Sequence, residues 1–179
     1  MHKQTPAVRN GILEAAATTL LRDGVEAFTI SRVAQEAGLS VGGLRYHFAS
    51  KQDLLEALVD HAVVGFDEAL DGADHEPGAK TRAYIAAALP GHDSGQIAAA
   101  LVAAVAVDSS MLAILRRHFA RWQSMLDADG IDPVTATLIR LTMDGWWLAA
   151  FADLAQPDDR TGSLLRARLE ALVEEATNA

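Results

Sequence analysis

Residues 40–51 contain several side chains that suit contacts with nucleic acid. Arg45 carries a forked guanidinium, which can pair bidentately with guanine in the major groove of DNA. Tyr46 and His47 follow it directly, and a phenol and an imidazole can hydrogen-bond phosphate oxygens. We expect Lys51 in the first turn of a helix, where its ammonium and the helix N-terminus both attract phosphate. The segment therefore predicts base contacts by Arg45 and contacts to the DNA backbone by its neighbours.

Further positions extend this predicted contact set. Val41 and Gly42 share the helix face of Arg45 and can approach a thymine methyl group or a sugar edge. Two adjacent glycines cost helix stability, about 1 kcal/mol each relative to alanine, so we expect this helix to order fully only on DNA. The alternatives are an exposed arginine without a ligand, and a tyrosine and histidine buried between helices. The predicted DNA contacts are Thr29, Ser40, Val41, Gly42, Gly43, Arg45, Tyr46, His47 and Lys51.

Two short helices joined by a tight turn must position these side chains. Thr29 can cap the first helix, and Gly38 supplies the backbone freedom for a sharp C-terminal stop. Ser40 can cap the second helix, in which Leu44 and Phe48 form an apolar face that holds the helix on its support. The opposite face stays free to read DNA. This order of elements is the helix-turn-helix arrangement.

The same stretch resembles the signature of the tetracycline-repressor (TetR) family in a continuous register over the first quarter to third of the chain. The resemblance implies an all-helical, dimeric, ligand-responsive transcriptional repressor, and it assigns Tyr46 and His47 to phosphate contacts. Arg45 stands where many relatives carry a tyrosine, and Gly43 departs from the family's usual small side chain. The residues that carry the resemblance are Gly24, Thr29, Ala34, Ala37, Gly38, Ser40, Gly42, Tyr46, His47, Phe48, Lys51, Leu54 and Leu55.

The charge of the chain is distributed unevenly. Its 179 residues carry a net charge of −9, which by itself argues against a nucleic-acid partner. Residues 1–51 hold six Lys and Arg against four Asp and Glu, whereas residues 52–179 hold nine against twenty. Phosphate contact depends on local potential, so a mildly basic N-terminal part on an acidic remainder is compatible with DNA binding. Chance asymmetry is the alternative explanation.

Apolar periodicity predicts an all-α fold. We expect helices at about 6–23, 50–71, 79–89, 94–107, 109–128, 133–155 and 162–177, in addition to the two short ones, and no strand pattern occurs. We predict two domains: a head of residues 1–51, which is a three-helix DNA-binding domain with the helix-turn-helix, and a body of residues 52–179 for ligand binding and dimerisation. One long helix joins them.

Two predicted body helices hold all three tryptophans and three of the four methionines. The ordinary interpretation is that these side chains form stripes on their helices that belong to the structural core. Adaptable methionines and broad aromatic faces also suit a cavity for an apolar or aromatic effector. The predicted ligand-binding residues are Phe119, Trp122, Met125, Met143, Trp146, Trp147 and Phe151.

Small and apolar residues recur at helical spacing in the last two predicted helices, and they let another helix approach closely. The TetR resemblance implies that these helices form a four-helix bundle between two subunits. Packing within one chain is the alternative. The residues predicted to form a homodimer interface are Leu138, Thr142, Gly145, Ala149 and Ala152, together with Leu165, Leu169 and Leu172.

Signals for chemistry are poor. Residues 91–95 include a serine, a histidine and an aspartate, but consecutive residues cannot adopt the geometry of a catalytic triad. The acidic residues around Gly130 do not have the spacing of a calcium loop. We therefore expect a cytoplasmic regulator that binds an inverted-repeat DNA operator, with no cofactor, no metal, no membrane contact and no enzymatic activity. The alternatives are a helix-turn-helix protein without an effector and a small all-α enzyme that uses His92 or His118 as a base.

Overall fold

A computed structural model describes residues 6–89, 111–151 and 153–178, and in these ranges the regular elements are all α-helices. The predicted all-α fold is confirmed. The predicted helix at 94–107 and the residues 91–95 lie outside the described residues. The helices are α1 (Pro6–Ala27), α2 (Ile30–Glu36), α3 (Val41–His47), α4 (Lys51–Asp71), α5 (Ala79–Ala88), α6 (Met111–Asp127), α7 (Pro133–Phe151) and α8 (Asp159–Thr177).

The described residues fall into two compact units. The first comprises residues 6–63 and 111–116, and the second comprises 64–89 and 117–178 without residue 152. The division therefore falls inside α4, between Val63 and Val64. The predicted domain boundary after residue 51 remains a prediction.

The first unit packs α1 against α2 and α2 against α3. The backbone of α1 is interrupted at Gly24, whose φ of 81° and ψ of 177° are not helical, so the helix predicted to end near residue 23 does break there. The core of this unit consists of side chains that are less than 5% exposed, among them Ile12, Leu20, Phe28, Val33, Leu44, Phe48, Leu55 and Leu58.

The turn between α2 and α3 follows from its glycine. Gly38 has a φ of 67°, in the left-handed region that glycine adopts without a steric penalty. The Leu39 N–H then donates to the Ala34 carbonyl at 2.8 Å, and the Ala37 N–H donates to the Val33 carbonyl at 2.9 Å. These bonds satisfy carbonyls at the end of α2 and direct the chain into α3.

The second unit packs α5 against α7 and α8, and α7 against α8. Gly162 is buried in α8, and a Cβ at this position would come within 2.9 Å of the Trp146 ring. The missing side chain therefore lets the indole of α7 lie directly on the backbone of α8. The core of this unit includes Leu70, Tyr84, Ile85, Trp122, Leu126, Ile139, Met143, Leu169 and Val173.

Short-range polar contacts begin three of the helices. Ser50 and Asp53 form a reciprocal capping box on α4, each side chain accepting the other's backbone N–H at 3.0 Å. Asp132 accepts the Thr135 N–H at 2.9 Å at the start of α7, directly before Pro133. Both starts were predicted from the sequence, and both are confirmed. Asp158 caps α8 in the same way.

Candidate nucleic-acid interface

The second helix of the helix-turn-helix, α3, which we call the recognition helix, has one buried and one exposed face. Leu44 is fully buried and Phe48, its C-cap residue, is 2% exposed, so these side chains hold the helix on the first unit. Val41 and Tyr46 are 40% and 58% exposed, and Arg45 is exposed between them. The two faces predicted from residue spacing are therefore present, with Arg45 on the exposed side.

The hydroxyl groups of Ser40 and Thr29 act as helix caps. Ser40 Oγ accepts the Gly43 N–H at 3.0 Å, and Thr29 Oγ1 accepts the Arg32 N–H at 3.2 Å. These bonds satisfy backbone donors at the starts of α3 and α2. Gly43 can therefore offer its N–H to phosphate only by exchanging the bond to Ser40.

Ion pairs neutralise part of the positive charge in this unit. Arg22 binds Glu36 on α2 at 2.7 Å and Asp23 at 2.8 Å, and Arg32 also binds Asp23, at 2.9 Å. Hydrogen bonds from Arg22, and then from Arg32, hold the pKa of Asp23 well below its usual range. These contacts join the end of α1 to α2, on which α3 is supported.

Two other cations lie on aromatic rings. The Lys51 ammonium is 5.3 Å from the centroid of the Phe28 ring, and the Arg9 guanidinium carbon is 4.3 Å from the centroid of the Phe48 ring. Tyr46 and His47 form an edge-to-face pair with ring centroids 5.3 Å apart. Arg9 was not among the predicted contacts, because nothing in its local sequence indicates that it meets Phe48.

Four aromatic side chains pack together in the second unit. The Phe66 and Trp122 ring centroids are 4.6 Å apart, those of Phe66 and Tyr84 are 4.8 Å apart, and those of Phe119 and Trp122 are 4.9 Å apart. Trp122 is 4% exposed, and its indole N–H donates to Asp67 at 2.6 Å. The structure thus brings together Phe119 and Trp122, both predicted ligand-binding residues, with Phe66 and Tyr84, which were not predicted.

A polar network lies next to this aromatic cluster. The Tyr84 hydroxyl donates to Asp144, and the Arg140 guanidinium donates to the other oxygen of Asp144 at 2.7 Å. Arg140 also donates to Gln123, whose amide reaches Thr137 at 2.9 Å. Burial raises the pKa of Asp144 and of Tyr84 above their usual values. These groups could meet a polar substituent of a ligand bound on the aromatic rings.

The other predicted ligand-binding residues lie in several environments. Met143 is fully buried, and Trp146 packs on Gly162. Met125 and Trp147 are half-buried. The side chain of Phe151 lies outside the described residues.

Two family models match the chain. Residues 12–58 match the model described as bacterial regulatory proteins of the tetR family, and residues 78–174 match the tetracyclin repressor-like C-terminal domain. The second match alone covers more than half of the 179 residues. The chain belongs to the TetR family. It is therefore a DNA-binding transcriptional regulator, as the helix-turn-helix predicted.

Solved structures of other proteins share this fold. A TetR transcription regulator from Haloarcula marismortui is 17% identical with a TM-score of 0.71, and the match covers 96% of this chain and 99% of that one. A transcriptional regulator from Rhodococcus sp. Rha1 is 23% identical with a TM-score of 0.64, covering 95% and 96%. The multidrug binding protein EbrR, complexed with malachite green, is 23% identical with a TM-score of 0.66, covering 93% and 98%.

The TetR-family C-terminal region carries an exposed apolar stripe on α7. Val134, Leu138, Leu141 and Leu148 are 75%, 53%, 55% and 46% exposed. Their spacing of four, three and seven residues places them along one side of the helix. Leu164 on α8 is also exposed, at 63%. An apolar stripe of this kind is typical of a surface that packs against another helix.

This stripe overlaps the predicted dimer residues only in part. Leu138 and Gly145 are exposed, whereas Thr142 and Ala149 are half-buried and Ala152 lies outside the described residues. On α8, Leu165 and Leu172 are half-buried. Leu169 is 3% exposed, so it belongs to the core of its own chain and offers little free surface to a partner.

The described residues of the regulator show neither of two other kinds of site. No helix within them is long and apolar enough to cross a membrane. They also contain no group of three His, Cys, Asp or Glu side chains arranged to hold a metal ion.

Proposed function

We propose that this TetR-family regulator is a repressor that binds an inverted-repeat operator as a homodimer and is released by a small apolar or aromatic effector. The observation that carries the proposal is the recognition helix, which buries Leu44 and Phe48 and exposes Arg45. In this proposal residues 1–51 bind DNA and residues 52–179 bind the effector and the second subunit. A cytoplasmic location and the lack of enzymatic activity are parts of the same proposal.

Arg45 reads a base and the surrounding residues hold the phosphates. The Arg45 side chain is exposed on the outer face of α3, where a bidentate contact with guanine is possible. Lys51 lies in the first turn of α4, and Tyr46 and His47 end α3. Arg45→Ala should cost about 1–3 kcal/mol of binding free energy and relax base preference at one position per half-site. Lys51→Ala should weaken binding to all DNA sequences alike and lower the salt dependence of the binding constant.

Fluorescence anisotropy with labelled duplexes that differ at single base pairs measures both effects. Equal loss of affinity on every duplex for both variants would make Arg45 a phosphate ligand and contradict the assignment.

The aromatic cluster of the second unit supports an effector site. Phe66, Tyr84, Phe119 and Trp122 form a packed aromatic cluster, and Asp144 and Gln123 lie in the adjoining polar network. EbrR, which shares the fold, is complexed with malachite green, an aromatic molecule. We infer that this regulator also takes an aromatic effector, held by the predicted residues Phe119, Trp122, Met125, Met143, Trp146, Trp147 and Phe151. The effector acts by binding more tightly to an arrangement with low DNA affinity.

Linked titrations test the effector site. A panel of apolar and aromatic compounds that includes malachite green is screened by thermal shift, and each hit is followed by tryptophan emission. Quenching and release of operator DNA should occur over the same concentration range, because coupling between two sites is reciprocal. Trp147→Ala should shift both titrations together while ligand-free DNA affinity stays nearly unchanged. Quenching without any change in DNA affinity at saturation would instead leave a regulator without a small-molecule effector.

The exposed stripe on α7 supports the homodimer. Leu141 and Leu138 are more than half exposed in the single chain, and covering such apolar surface is favourable by about 25 cal/mol per Å². Leu141→Glu should therefore shift the protein toward monomer in sedimentation velocity experiments. Leu21→Glu alters an apolar side chain that is 43% exposed on α1, and it serves as the control. A monomeric wild-type protein, or equal effects of both variants, would contradict this interface.

A further inference from the structure

Arg9 is a cation of the first unit to which the proposed function assigns no role. It lies in the N-terminal part of α1 and is exposed, while its guanidinium carbon is 4.3 Å from the centroid of the Phe48 ring. Phe48 is the C-cap residue of α3 and follows Tyr46 and His47 directly. The guanidinium therefore lies at the junction between the recognition helix and α4, although 39 residues separate it from Phe48 in the sequence.

Ion pairs divide the cations of residues 6–63 into two groups. Arg22 and Arg32 are bound to Asp23 and Glu36, so most of their charge is compensated within the protein. The other cations between residues 6 and 63 are Arg9, Arg45 and Lys51. The described part of the chain provides no carboxylate within ion-pair distance of these three. Among residues 6–63, the cations without such a partner thus lie at the recognition helix and at its junction with α4. Arg116, in the part of α6 that belongs to the same unit, is a further exposed cation without an ion pair to the described residues.

We propose that Arg9 is a further contact to the DNA backbone, held in place by the Phe48 ring. This inference rests on the proposed binding of DNA by residues 1–51. A guanidinium that lies over an aromatic ring keeps its N–H donors directed outward, and it is more weakly hydrated than an ammonium. It is thus suited to bind a phosphate through two hydrogen bonds. Lys51 on α4 lies over the Phe28 ring in a comparable way, so two cations of this unit are held against aromatic rings.

In this proposal Arg9 positions the protein on the DNA and does not read its sequence, because phosphate contacts carry no base information. Removing its charge should lower affinity by the same factor on every DNA sequence. Binding at a phosphate releases condensed counterions, so each contact contributes about 0.9 to the slope of log K against log salt concentration. One lost contact per subunit should therefore lower the slope by about 1.8 in a homodimer.

The experiment compares Arg9→Gln with the wild-type protein on a selected operator between about 50 and 200 mM salt. Glutamine keeps an aliphatic stem over Phe48 and removes the charge. The matched control is Arg160→Gln, which removes an exposed arginine from the second residue of α8. Arg9→Lys restores the charge, and thermal unfolding confirms that each variant is folded. The expected result is a lower slope and unchanged base preference for Arg9→Gln alone, with the slope largely restored in Arg9→Lys.

Two results would overturn the inference. An unchanged slope in folded Arg9→Gln would show that Arg9 does not touch the backbone. An equal loss of slope in Arg160→Gln would show an effect of net charge rather than of a contact. Lys51→Gln, measured on the same operator, separates this inference from the proposed function: if it lowers the slope while Arg9→Gln does not, the DNA-binding surface stands and only the role of Arg9 fails.

Discussion

The carboxylate of Asp129 should contribute more to stability than any other acidic group near it in the sequence. It lies between α6 and α7 and is 7% exposed. It accepts hydrogen bonds from the Lys80 N–H at 3.0 Å, the Thr81 N–H at 2.8 Å and the Thr81 hydroxyl at 2.7 Å. The N-cap residue of α5 is Gly78, which has no side chain to cap the helix. Asp129 therefore caps α5 from a distant part of the chain.

The expected cost of Asp129→Ala follows from these bonds. Hydrogen bonds to a charged group contribute about 1.5–3 kcal/mol each, and loss of a helix cap costs about 0.5–2 kcal/mol. Thr81 is fully buried, so water cannot replace the lost partner there, whereas Lys80 is half-buried. Because the three bonds share one acceptor, their contributions are not additive. We expect the free energy of unfolding to fall by about 2–4 kcal/mol.

Urea unfolding followed by far-ultraviolet circular dichroism measures this change. Asp127→Ala is the control, since the exposed carboxylate of Asp127 accepts a single hydrogen bond from Gln123, and its removal should cost less than about 0.5 kcal/mol. Equal effects of the two variants would refute the capping role of Asp129.

Four further substitutions test local features by unfolding measurements. Gly42→Ala should stabilise the protein by about 0.5–1 kcal/mol, because the new Cβ would meet only Ser40 Oγ, at 3.9 Å. Gly43→Ala should stabilise it less, because the Cβ at this position would lie only 3.3 Å from Ser40 Oγ. Ala155→Gly should stabilise by about 0.5–1 kcal/mol, because Ala155 has a φ of 50°. Hydrogen bonds from Thr135 lower the pKa of Asp132, so its carboxylate stabilises the fold above the unfolded pKa of about 3.9, and the stabilisation is lost as the pH falls further. Asp132→Ala should therefore destabilise at pH 7 and have little effect near pH 2, and an equal effect at both values would refute this.

Features that depend on neighbouring residues were predictable from the sequence. Three such features lie in or next to the helix-turn-helix. Ser40 caps α3 through Gly43, and Ser50 and Asp53 cap α4, in each case across three residues. The positive φ of Gly38 is a property of that single residue. Helical spacing also predicted the buried Leu44. Local chemistry alone therefore specified the helix-turn-helix.

Features that depend on contacts between distant segments were not predictable. Asp129 and Thr81 are 48 residues apart, and the acidic sequence around Gly130 gave no sign that one carboxylate caps α5. The orientation of α7 shows the same limit. Small residues suggested one face for a partner, but contacts with α5 and α8 decide which face stays free, and the exposed side chains there are mainly Val134, Leu138, Leu141 and Leu148.

Selection of bound sites from random DNA tests the central claim most directly. Two copies of α3 related by a two-fold axis should recover an inverted repeat whose half-site centres lie a whole number of helical turns apart, about 34–36 Å per turn. Repeating the selection with Arg45→Ala should relax the preference at one symmetric pair of positions. Recovery of direct repeats or isolated half-sites, or the absence of any enriched sequence, would contradict a dimeric regulator that reads its operator through α3.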